Sequence, residues 1–122
     1  MYIEQIPLSR QLEMVFRALK DELASLASGT IIVQIRNNLI GKFGVKCDPI
    51  NEKDGKLKPD DRGLAEHHQQ ALRRIGLQTL QRKRWTHGEI QLEFTLSEDA
   101  LSARVQLESN YNMNNILNKN GE

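Results

Sequence analysis

The side chains best suited to chemistry lie in one stretch of the second half, Arg82-Lys83-Arg84-Trp85, where three cations stand beside an indole. Cations neutralise phosphate and an aromatic ring stacks on bases, the combination used by sites for single-stranded nucleic acid. Arg73 and Arg74 would extend such a patch along the preceding helix. The same residues have a plainer reading: Lys and Arg complement the dipole at a helix C-terminus, and Trp belongs more often to a core than to a stacking platform. Charge is also segregated more widely. Residues 62–87 carry six basic side chains against one acid, Glu66, whereas residues 88–110 carry five acids against one base, Arg104.

The histidines raise metal binding. His67 and His68 are adjacent, so on a helix they point to different faces, and neither has a histidine four residues away or a Cys-x-x-Cys companion. No metal site is expected. His68 fits the apolar face of a helix and His67 its surface, while His87 precedes Gly88 at the start of a strand. Asp60-Asp61 with His67 could be drawn as an acid–base set, but polar residues at a loop and helix start are expected from capping alone. The chain has no nucleophile elbow, phosphate-binding loop or dinucleotide fingerprint, and Gly41-x-x-Gly44 lacks the context of a nucleotide loop. No catalytic residue and no cofactor is assigned, and an enzyme built from dispersed residues is the lowest-ranked reading. Asp54-Gly55 evokes a calcium loop, yet aligning Gly55 with its invariant glycine puts Ile50 at the first ligand position.

These residues need elements to hold them. Leu12, Phe16, Leu19, Leu23 and Leu26 alternate steps of four and three, predicting a helix over 9–28 with Ser9 as N-cap and Gly29 closing its end. Thr30–Lys46 supports two readings. Ile31, Ile35, Leu39 and Phe43 keep helical spacing, but the β-branched run 30–33, the turn-forming Asn37-Asn38 and two glycines favour a hairpin. A turn at Asn37-Asn38 sets Ile35 opposite Ile40, a good match, but Val33 opposite Lys42, a poor one that leaves either a register shift or a helix open. Residues 47–63 read as a polar surface loop.

Leu64, His68, Ala71, Leu72, Ile75 and Thr79 share one arc of a second helix over 64–81, which must stop or bend before Arg82 enters that arc. Ile90, Leu92, Phe94 and Leu96, then Leu101, Ala103, Val105 and Leu107, alternate with polar residues, predicting a hairpin turned at 97–100 whose apolar side chains all enter one core. The expected fold is α+β: helix, hairpin, helix, hairpin, forming a four-stranded antiparallel sheet with both helices on one face. Residues 1–110 make one domain and the asparagine-rich 111–122 a frayed tail.

With 122 residues, 39% hydrophobic and 27% charged, the chain has the composition of one folded domain. A net charge of +1 steers no partner. The single cysteine, Cys47, suits a reducing compartment, and the absence of a signal-like start or a membrane-length apolar run points to a soluble cytoplasmic protein. The leading expectation is a small regulatory or adaptor protein acting through protein–protein contact, with Arg73, Arg74, Arg82 and Arg84 as its polar contacts, a homodimer as one form of it and no membrane partner. Nucleic-acid binding through Arg73, Arg74, Arg82, Lys83, Arg84 and Trp85 is the alternative. Salt separates them, because phosphate contacts weaken steeply with ionic strength and an apolar interface does not.

Overall fold

A computed structural model describes residues 6–48, 52–53, 55–57, 63–82, 87–111, 113 and 117. The chain is α+β, with two helices and a four-stranded antiparallel sheet. The order of elements differs from the expected one. Helix α1 (Leu8–Leu23) leads into β1 (Ser28–Arg36) and β2 (Leu39–Cys47); a short hairpin of β3 (Glu52–Lys53) and β4 (Lys56–Leu57) follows, before α2 (Glu66–Leu80), β5 (His87–Ser97) and β6 (Ala100–Ser109). The extra hairpin lies where a plain loop was expected, and Gly55 serves its turn with φ +77°, a conformation costly for any residue with a Cβ.

The sheet order is β2-β1-β5-β6, so the two long hairpins meet through β1 and β5. Along that seam Ile31 faces Leu92 and Val33 faces Ile90, and all four are essentially fully buried. Gly29 faces Phe94, and a Cβ there would stand 3.3 Å from the ring and 3.0 Å from the Lys46 carbonyl oxygen. Gly29 therefore belongs to the strand, where its missing side chain admits the Phe94 ring, and does not close the helix.

Helix α1 ends earlier than periodicity suggests, because the chain returns to cap it: the Leu64 N–H donates to the Leu23 carbonyl at 3.1 Å. Gly63 passes so close that a Cβ would overlap the Ala24 carbonyl. At the other end Pro7 occupies the N-cap and Ser9 lies inside the helix, since proline's fixed φ and missing N–H suit a helix entrance. Leu12, Val15, Phe16, Leu19 and Leu23 are buried. They join Leu64 and Leu72 with the inward residues of β1 and β5 in one core cluster. Gly76 of α2 is a contact point, since a Cβ there would lie 2.9 Å from Leu12 and 3.5 Å from Leu92. Its cost in helix propensity is offset by close approach of the backbone to α1 and the sheet.

Both long hairpins turn on two residues with positive φ, Asn37 (54°) and Asn38 (63°), then Glu98 (50°) and Asp99 (67°), the backbone of a type I′ turn. In the first hairpin Ile35 faces Ile40, and one extra residue in β2 then brings Phe43 opposite Val33. This bulge replaces the unfavourable pairing of Val33 with Lys42 and returns an apolar side chain to the inward row. Phe94 is 2% exposed, opposite Gly29 near one end of the seam. Phe94→Ala should destabilise by about 3–5 kcal/mol in urea unfolding, and a loss under about 0.5 kcal/mol would contradict its place in the core.

Candidate interaction surface

Of the six residues singled out for binding, three are described. Arg73 is half-buried and lines a groove of about 260 Å³ between the helices with Arg17, Lys20, Glu13 and Glu66. Arg74 is its neighbour on α2 and is exposed, a step of about 100° around the helix. Arg82 is exposed in the turn after α2. Lys83, Arg84 and Trp85 lie outside the described residues, as do Asp60 and Asp61. Arg73 and Arg74 thus face different surroundings, and the groove that takes Arg73 carries both signs of charge.

His68 is 3% exposed, and both of its ring nitrogens are engaged. Its Nδ1 accepts the Ala65 N–H at 3.0 Å, closing the first turn of α2 as the third residue of a capping box does. An accepting Nδ1 leaves the ring proton on Nε2, which donates to Asp99, 3.2 Å from the carbonyl oxygen and 3.3 Å from Oδ1. The histidine therefore ties the start of α2 to the turn between β5 and β6. In that turn Glu98 and Asp99 hold positive φ, which aspartate tolerates and glutamate adopts less readily.

His67, His68 and Asp99 also bring candidate ligand atoms within 4.8 Å of one another. A metal on His68 Nε2 would require the proton on Nδ1, where it would point at the Ala65 N–H. The hydrogen bonds present thus oppose coordination and fit a structural latch.

The edges of the sheet contrast sharply. At the β2 edge the bulge interrupts the strand, Lys42 and Lys46 are exposed, and the Gln11 side chain of α1 accepts the Ile40 N–H at 2.7 Å. Bulges, lysines and covering groups are how proteins protect an edge from pairing. Among the described residues the β6 edge shows no bulge and no lysine. Its register with β5 runs without interruption from Ser97–Ala100 to Gly88–Ser109, and among the described residues no strand pairs with its outer side.

On β6 the inward row was expected to be core throughout. Leu101 and Ala103 are half-buried against it, but Val105 is 38% and Leu107 43% exposed. Their partners across the strand pair, Leu92 and Ile90, are buried. The two side chains point the way periodicity requires, yet the described helices reach β6 mainly near its turn, through His68 and Asp99.

No family model, curated protein or solved structure matches the chain. The surface must therefore be read from its own residues. No described helix is long and apolar enough to cross a membrane.

His68→Ala removes a buried ring and both of its bonds and should cost about 2–4 kcal/mol in thermal or urea unfolding. His68→Gln, which can still cap Ala65, should recover part of that loss. Equal stability of the Ala variant and the native chain would contradict the latch.

Proposed function

We propose that this chain is a small non-catalytic regulatory or adaptor protein that works by protein–protein contact through the β6 side of its sheet. The observation that carries the reading is the exposure of Val105 and Leu107 on a strand that no other pairs on its outer side among the described residues. An added strand would gain backbone hydrogen bonds from the edge and specificity from the alternate side chains. The reading places both helices on the inward face of the sheet. Gly76 supports this, since it lies against Leu12 and Phe16 of α1 and Leu92 of β5.

The opposite face is mostly polar, Ile32 apart, and internally bonded: Glu89 accepts from the side-chain amides of Gln34 at 3.2 Å and Gln91 at 2.6 Å. Such a face suits solvent, which concentrates the apolar contact on the edge. Within this reading His68 is structural, because the latch fixes the turn from which β6 departs.

A photo-crosslinking residue placed at Val105 of the full chain in its native cells tests the reading. It should give a discrete protein adduct that is absent when the same probe replaces Arg74. Adducts of equal yield from both positions, or adducts to nucleic acid alone, would overturn it.

A further inference from the structure

We infer that the partner of the β6 edge is a second copy of this chain, joined antiparallel to the first about Gln106 in a continuous eight-stranded sheet. The inference rests on the proposed use of this edge and adds the occupant and the register.

The direction of the backbone groups comes first. Ser97 and Ala100 close a two-residue turn, so they form a hydrogen-bonded pair, and bonded pairs then recur at every second residue. The Asn110 N–H donates to the His87 carbonyl at 3.1 Å, which confirms that even-numbered residues of β6 bond to β5. The backbone groups of Leu101, Ala103, Val105 and Leu107 therefore point outward along the edge. An antiparallel copy can satisfy them only in registers that set odd residues opposite odd ones.

Among these registers the side chains select one. Pairing about Gln106 sets Val105 opposite Leu107 of the second copy, and Leu107 opposite its Val105, as hydrogen-bonded pairs on the core side. On the other face it sets Arg104 opposite Glu108 of the copy, and Glu108 opposite its Arg104, as non-bonded pairs, whose side chains approach most closely. Centring the pairing on Arg104 opposes two like charges. Centring it on Val105 or Leu107 puts Arg104 opposite Gln106 or Asn110 and leaves Glu108 without the arginine. A two-fold contact must be self-complementary, and one arginine and one glutamate four residues apart on the same strand face meet that condition.

A second observation within the single chain points the same way. Glu108 stands directly opposite Glu89 on β5, an unfavourable like-charge pair, and among the described residues no cation pairs with it. Among the described residues Arg104 pairs with Glu93, at 3.8 Å, and remains 77% exposed. A neighbouring β6 would supply the missing cation to Glu108 and a second carboxylate to Arg104. It would also cover Val105 and Leu107, extending the inward apolar row across the junction.

The test is sedimentation velocity of the full chain over a wide concentration range, for the native sequence, Glu108→Arg, and the exchange Arg104→Glu with Glu108→Arg. The native chain should show a monomer–dimer equilibrium. Glu108→Arg should weaken dimerisation by about tenfold or more, since two symmetric attractions become repulsions, while thermal stability holds or rises because the Glu89 clash is relieved. The exchange variant should return to within about threefold of native affinity. A native chain that stays monomeric to about millimolar concentration, a level at which even weak contacts associate, overturns the inference, as does a dimer indifferent to Glu108→Arg. If the chain is monomeric while the Val105 probe captures a different protein, the edge still serves protein contact and only self-pairing fails.

Discussion

The pairing of β1 with β5 is the constraint on which the rest of the structure depends. It joins two hairpins distant in sequence, and its opposed residues Ile31–Leu92, Val33–Ile90 and Gly29–Phe94 form the floor of the core. A one-residue slip of either strand there would turn its whole inward set outward. Gly29 fixes the register in particular, since the Phe94 ring needs the space that a side chain would fill. With this seam set, the outer strands β2 and β6 fall at the edges by necessity, and their contrasting chemistry becomes meaningful.

Among the described residues the two edges of the sheet differ. Bulge, lysines and the Gln11 bond protect β2, whereas β6 runs regular and carries exposed Val105 and Leu107. His68 connects that strand to the helices: its bond to Asp99 joins the turn that starts β6 to the first turn of α2. A pre-organised strand loses little conformational freedom when another strand adds to it, which favours association. The latch, the turn and the edge thus form one mechanical unit running from core to surface.

Much of this was legible in the sequence where period and turn chemistry agreed. The second long hairpin follows from alternation, the first is favoured over a helix by its β-branched run, Asn37-Asn38 and glycines, and the burial of His68 follows from its place among Leu64, Leu72 and Thr79. The bulge was foreshadowed by the poor match of Val33 with Lys42, although its position needed the structure. The ends of α1 were not legible, because they depend on Pro7 and on the returning segment at Gly63 and Leu64, a long-range contact with no local trace. Exposure of Val105 and Leu107 was hidden for a related reason: alternation reports which face a residue occupies and not whether a helix reaches that part of the face. The edge position of β6 likewise emerges only from the strand order.

Amide hydrogen exchange along β6, followed as a function of protein concentration, tests the account most directly. The even-numbered amides Arg104 and Gln106, bonded to β5, should be protected at every concentration, while Ala103, Val105 and Leu107 should exchange freely in dilute solution and become protected as the protein is concentrated. Uniform protection of odd and even amides in dilute protein, or odd amides that remain unprotected at the highest concentration, would contradict the claim that this edge is open in the monomer and pairs with its own copy.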